Sequence, residues 1–229
     1  MGKQFFKSLG DQVFSYLKDK IINNELEPGT MLYIDKLAAE FGVSTTPIRE
    51  ALVKLEGLGL VNINRNKGAV VSTMSRDKII QVLEMRRLLE TYGCRSAAPK
   101  ITDEEITILE EILEKVRQNP EDFEYYKYSD TELHGTIIKH ISNELIRDAL
   151  TNLSIHSRRI RYYAEQTPFV KDVIIKVNEE HEQILDAMKT RNAPLLEQAM
   201  RDHLINAQDR TMKALDKFKQ EEKEDPEPV

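Results

Sequence analysis

Apolar residues recur at three- and four-residue steps along most of this chain, the period of helices that bury one face. The first such run covers residues 8–24, where Leu9, Val13, Leu17 and Ile21, with Phe14 and Ile22, form the apolar side. Glu27-Pro28-Gly29 ends it. Leu37, Ala38 and Phe41 mark a second, short helix. Gly42 closes that helix, because glycine takes a left-handed cap at no steric cost. Ser44 and Thr45 are placed to cap a third helix by accepting from its free amides. Pro47 fits its first turn, where no intrahelical bond is lost. Ile48, Leu52 and Leu55 then give a buried stripe, and Gly57 and Gly59 stop it. The pattern next turns β-rich over Leu60–Asn64 and Ala69–Ser72, around the turn Arg65-Asn66-Lys67-Gly68, which predicts a hairpin. From Arg76 onward the strand signals vanish. Six helical segments follow, at about 76–98, 102–118, 120–141, 143–165, 168–191 and 193–217, with Pro99, Thr102, Pro120, Asn143, Pro168 and Pro194 as caps or breaks. The charged tail 218–229, with two prolines, is expected to be disordered.

Helix, tight turn, helix and basic hairpin make a winged helix-turn-helix, whose second helix enters the major groove with its N-terminal residues nearest the bases. The predicted fold is therefore mainly α. An N-terminal winged helix-turn-helix with a small β hairpin (residues 5–73) precedes a C-terminal all-α helical bundle (residues 76–217).

Composition adds the compartment. Of 229 residues, 40% are hydrophobic and 31% charged, as in soluble globular proteins. No apolar run approaches the roughly 20 residues that span a bilayer. The N-terminus shows no uninterrupted apolar core of a signal peptide, and the serine or threonine that follows a myristoylated glycine is missing. Cys94, the one cysteine, cannot form an internal disulfide and reads as a packing residue. These features point to the cytoplasm and to no membrane partner. The net charge of −6 is unusual for a DNA binder. Residues 1–75, however, carry nine Lys/Arg against eight Asp/Glu, while residues 76–229 carry 24 against 31. The acidity thus lies outside the part expected to meet DNA, where the placement of cations matters more than their total.

The runs GVSTTPIREAL, LEGLGLV and NKGAVV, with the NNELEPG turn before them, resemble the GntR family of bacterial transcription regulators. The resemblance implies contacts to DNA bases or phosphates from Ser44, Thr45, Thr46 and Arg49, with Arg65, Lys67 and Gly68 in the wing. Two positions depart from the family pattern. Thr45 stands where arginine is common, and Asp35 where a basic residue often occurs. Threonine cannot make arginine's bidentate contact with guanine, and two lost cations weaken phosphate attraction. The operator is therefore expected to differ from the usual family site, with modest, salt-sensitive binding. One helix reads few base pairs, so a homodimer on an inverted repeat of double-stranded DNA is expected.

The segments LEMRRLLE (83–90), SDTELHGTI (129–137), NELI (143–146), EEHEQILDAM (179–188) and AMRDHL (199–204) further resemble the FadR subfamily, with its FCD-type effector domain. Asp130 and His134 are four residues apart on a helical segment, so their side chains share one face. His181 and His203 each lie inside an amphipathic helix. The sequence by itself does not bring them to Asp130 and His134; the resemblance implies it, because metal-binding FCD domains set an Asp-x-x-x-His pair and two later histidines around a cavity. One carboxylate and three imidazoles suit Zn²⁺, Ni²⁺ or Mn²⁺ and leave positions open for water or a ligand carboxylate. His140 and His156 match no ligand position. Arg86 falls where the family pattern turns an arginine to the cavity, and a bidentate carboxylate is a good partner for it. A surface salt bridge with Glu90 is the plainer reading of Arg86. Arg158, Arg159 and Arg161 form a basic cluster, of which Arg158 is the second effector-binding candidate. Asn143 reads as a helix cap.

The reading that follows is a regulator, more in keeping with a repressor, whose helical domain binds a metal ion and a small organic acid and so changes operator affinity. An alternative makes the metal itself the signal. A third, a metal-dependent hydrolase, leaves the DNA-binding part idle and finds no clear general base.

Overall fold

The computed structural model describes residues 8–64, 67–165 and 170–224, with the backbone course alone for 162–165, 170 and 218–224. The chain divides into two compact units, Met1–Ser75 and Arg76–Val229.

In the first unit, helix α1 (Leu9–Ile22) opens with a capping box. Ser8 Oγ accepts from the Asp11 amide, and the Asp11 carboxylate accepts from the Ser8 amide; two otherwise orphaned donors are satisfied. Val13, Leu17, Ile21 and Ile22 are buried. Leu9, expected on the same face, is exposed, while Gly10 beside it is buried. A short strand β1 (Met31–Tyr33) leads into α2 (Ile34–Phe41), which ends at Gly42 in the left-handed conformation, φ 63°. Helix α3 (Thr45–Gly57) buries Ile48, Ala51, Leu52 and Leu55 and packs on α1 and α2. Ser44 holds the cap position of α3, but its side chain makes no capping hydrogen bond there, which corrects the capping role expected of it.

Strands β2 (Val61–Asn64) and β3 (Gly68–Val71) form the expected hairpin. The sheet has a third strand that the pattern does not announce: β1 pairs antiparallel with β3, giving the order β1-β3-β2. Three residues are too few for a readable alternation; β1 is recruited by pairing. Gly68, at the start of β3, has φ 135°. A Cβ there would fall 1.9 Å from the Leu32 carbonyl oxygen.

The second unit is all helix among the described residues: α4 (Arg76–Ala97), α5 (Asp103–Gln118), α6 (Phe123–His140), α7 (Glu144–Glu165), α8 (Val170–Lys189) and α9 (Ala193–Glu224). Thr102 caps α5 through a second capping box, Asp122 caps α6, and the Asn143 side chain accepts from the Leu145 amide at the head of α7. Helix α4 packs on α9, α7 and α6, and α8 on α5 and α9. Leu109, Leu113, Leu133, Ile137, Ile184, Met188 and Met200 fill the core between them. Cys94 is fully buried there, and burial pushes its thiol pKa up, in keeping with a packing residue. Helix α9 continues to Glu224, so much of the tail expected to be disordered has helical backbone. Lys, Gln and Glu, all good helix formers, fill this segment. No helix among the described residues is long and apolar enough to cross a membrane.

Candidate metal centre and effector cavity

Three helices converge on one buried point of the second unit. Helix α6 supplies Asp130 and His134 one turn apart, α8 supplies His181 and α9 supplies His203. Each offers one donor atom, and these atoms lie within 4.8 Å of one another. His134 Nε2 is 3.2 Å from His203 Nε2 and 3.8 Å from Asp130 Oδ1; His181 Nε2 is 3.7 Å from the same oxygen. All four residues are buried, His181 completely.

The outer face of the cluster decides what the donors can bind. His134 Nδ1 is 2.7 Å from Glu90 Oε2, and His203 Nδ1 is 2.8 Å from Glu180 Oε2. Burial pushes the Glu90 carboxyl up, but the adjoining Arg86 guanidinium and His134 ring outweigh it and hold the pKa at about 2. Glu180 is likewise held at about 2: burial is outweighed by Arg210 and His203. Both carboxylates are therefore acceptors only, and each neighbouring Nδ1 carries its proton toward them. In the neutral imidazoles the lone pairs then sit on Nε2 and face one another. A shared proton could reconcile two such nitrogens, but not four converging donors. Neither ring nitrogen of the buried His181 has a hydrogen-bond partner in the structure, although buried polar atoms are normally paired. A divalent cation satisfies all four. Ligand bonds of about 2.1 Å place neighbouring donors about 3.0–3.4 Å apart and opposed donors about 4.2 Å apart; the three pairs given above lie at 3.2, 3.7 and 3.8 Å and all four donors within 4.8 Å, slightly wider than that set.

Burial lowers the pKa of His203 to about 4 against the opposing pull of Glu180, and burial with His203 nearby lowers His181 well below its ordinary value. Asp130 is held far below the usual carboxylate range: burial is overcome first by Arg161 and then by the histidine rings. Its Oδ2 accepts from an Arg161 guanidinium nitrogen.

Beside this point lies a cavity of about 430 Å³ between α4, α6 and α7. Arg86 and Arg158 both line it, with Arg147 and Arg161. Arg86 is buried, its Nε donating to Glu90 Oε1 at 2.6 Å, so the Arg86–Glu90 pair is an interior one and not a surface salt bridge. Arg159, next in sequence to Arg158, is buried and does not line the cavity. His140 pairs instead with Glu105 at 2.7 Å.

Glu180 carries no sequence signal, since only the tertiary pairing of α8 with α9 brings it to His203 and to Arg210, two turns further along α9. Arg147 and Arg161 do carry one. With Thr151, Ser154 and Arg158 they fall on a single polar stripe of α7.

In the first unit, Ser44, Thr46 and Arg49 are exposed at the head of α3, Thr45 is half-buried and Lys67 is exposed. Arg65 lies outside the described residues. Gly68, expected at the wing tip, is buried at the start of β3, crowded against the Leu32 backbone.

A winged helix-turn-helix unit joined to a helical unit with a buried acid/histidine cluster defines a bacterial DNA-binding regulator. Comparison with known proteins agrees. Residues 9–71 match the gntR family of bacterial regulatory proteins and residues 81–206 the FCD domain. The chain is 30% identical over 212 residues to the gluconate operon transcriptional repressor of Bacillus subtilis (strain 168), covering 89% of this chain and 85% of that one. The structure of E. coli McbR/YncC shares the fold at 20% identity, with TM-score 0.79, over 91% of this chain and 99% of that one. The metal-free FCD domain of TM0439 does so at 21% identity, with TM-score 0.55, over 63% of this chain and 98% of that one. This chain belongs to the GntR family of transcription regulators and carries an FCD domain; its relatives are regulators and not enzymes.

Proposed function

We propose that this protein is a cytoplasmic, homodimeric repressor of the FadR subfamily whose operator affinity is set by a metal ion and a small organic acid. The observation that supports this best is the convergence of Asp130, His134, His181 and His203 beside a cationic cavity, in a chain that also carries an exposed helix-turn-helix. When bound, Zn²⁺, Ni²⁺ or Mn²⁺ supplies Lewis-acid coordination for a carboxylate, with positions left open by the four protein donors. Glu90 and Glu180 orient the rings of His134 and His203. Arg86 and Arg158 face the cavity and attract the acid's negative charge. An effector that binds one conformation of the dimer better than the other shifts operator affinity by that difference and no more. Ser44, Thr45, Thr46, Arg49 and Lys67 are assigned to the DNA contact, with Arg65 from the wing on sequence grounds. Dimeric pairing would place two such helices on an inverted repeat.

The test is selection of the full-length protein's preferred sequence from random duplex DNA, followed by affinity measurement with and without metal. A palindromic site, and loss of binding in Arg49→Ala at unchanged circular dichroism, are expected. Unchanged affinity in Arg49→Ala would overturn the recognition-helix assignment. Metal-dependent affinity with no response to any organic acid would favour the metal as the signal.

A further inference from the structure

One face of α4 is bare. Met85, Leu88 and Tyr92 are 45, 65 and 62% exposed, although each is large and mostly apolar. Single exposed apolar residues are ordinary, but a contiguous group marks an interaction surface. With Gln81 before them and Arg95 after, these residues recur at alternating four- and three-residue steps, and all five are exposed. That is the a/d spacing of a helix that packs along another helix. Beside the stripe runs a groove of about 400 Å³, walled on the α9 side by Glu197 and Arg201. Two overlapping quartets of α4 form its floor: Glu84, Arg87, Leu88 and Thr91, then Leu88, Thr91, Tyr92 and Arg95. Each has the i, i+3, i+4, i+7 pattern of a hole that receives one side chain of a facing helix. Thr91 belongs to both. It is buried, and its hydroxyl has no hydrogen-bond partner among the described residues, although buried polar groups are normally paired.

Charge decides what fits these holes. Glu84 lies at one end of the pair and Arg95 at the other. A second copy of α4 running parallel in register would bring the two Arg95 side chains face to face. Running antiparallel, it sets Glu84 of each copy opposite Arg95 of the other. One two-fold axis crossing α4 between Leu89 and Glu90 does this. The same axis seats the partner's Tyr92 in the first hole and the partner's Leu88 in the second. The tyrosine also brings a hydroxyl to the hole floored by Thr91. A guanidinium has five N–H donors; Arg95 gives its Nε to Glu197 at 2.5 Å, which leaves its outer nitrogens for the partner. Such a pairing is isologous, so every contact is made twice.

We infer that two copies of this chain join through this face, α4 against α4 and antiparallel, with Tyr92 of each seated among Glu84, Arg87, Leu88 and Thr91 of the other. The inference rests on the homodimer reading proposed above and adds to it the face and the register. Arg86 and Glu90 line the effector cavity from the opposite side of the same helix, so α4 stands between the cavity and the partner. The test is analytical ultracentrifugation of the full-length protein, of Leu88→Asp, of Tyr92→Lys and of an equimolar mixture of the two variants. Both positions are exposed, so circular dichroism should not change. The wild type is expected at twice the chain mass of 26.5 kDa. Each variant alone is expected to associate at least about tenfold more weakly, because it places an unpaired charge inside the seam. Mixing them should restore dimer, because the antiparallel register brings the new carboxylate of one chain to the new ammonium of the other. Undiminished association of both single variants would overturn the face, and weakened variants that gain nothing on mixing would overturn the register; either result leaves the homodimer standing. Wild-type protein that stays monomeric, with and without a palindromic duplex, would overturn both readings.

Discussion

Acidifying the protein from pH 7.5 to 5.5 costs the acid/histidine cluster less metal affinity than a set of ordinary imidazole ligands would lose, because His181 and His203 resist protonation. A proton on an imidazole competes with the metal for the same lone pair. At the ordinary pKa of about 6.5, each imidazole is about 90% protonated at pH 5.5, and two such ligands would cost about 100-fold, or about 2.8 kcal/mol. Here burial lowers His203 to about 4 and takes His181 well below its ordinary value. His203 then holds little proton at pH 5.5, and its share of the cost falls below about 0.1 kcal/mol; burial moves His181 in the same direction. The assay is competition of the protein against a chelator for Mn²⁺ or Ni²⁺ between pH 7.5 and 5.5, corrected for the chelator's own protonation. A loss well below 100-fold is expected; a loss of about 100-fold or more would refute the reasoning. The same shifts act on stability, with a definite sign. Their folded pKa values lie below the unfolded ones, so the unfolded chain takes up protons first as pH falls. Stability of the metal-free protein is therefore insensitive to these groups above pH 6.5. It falls between about 6.5 and 4, by up to about 3 kcal/mol from His203 alone.

Two glycines test the two units separately. Gly68→Ala forces a Cβ to within 1.9 Å of the Leu32 carbonyl at φ 135°; a cost of at least about 3 kcal/mol and loss of DNA binding are expected, and wild-type DNA affinity would refute the crowding. Gly135 lies inside α6 on the cavity wall, where a Cβ meets nothing within 4 Å. Gly135→Ala should therefore stabilise the protein by about 0.5–1 kcal/mol through helix propensity, read as a raised melting temperature, and a lowered one would show that the wall is not open.

The helical period gave the helices of both units, because each buries one face, and the β-rich runs gave the hairpin. What these patterns missed was short or tertiary in origin. Strand β1 is three residues long and exists only through its pairing with β3. The Asp130–His134 pair was legible as a one-turn spacing, whereas His181 and His203 gain meaning only when α8 and α9 meet α6, which the family resemblance supplied and periodicity could not. Glu180 shows the limit most plainly. It directly precedes His181 in sequence, yet its partners are His203 and Arg210 on the following helix. Gly68 has a role that the pattern did not announce: the turn glycine beside basic residues also holds the close approach of β3 to the Leu32 backbone.

The most direct measurement is metal content by elemental analysis of full-length protein purified without added metal, beside a His134→Ala/His181→Ala variant. The proposal predicts about one divalent ion per chain in the native protein, bound through four donors, and none in the variant. Native protein that carries no metal and takes up none on addition, or a variant that retains it, would contradict the metal centre and return these histidines to ordinary core residues.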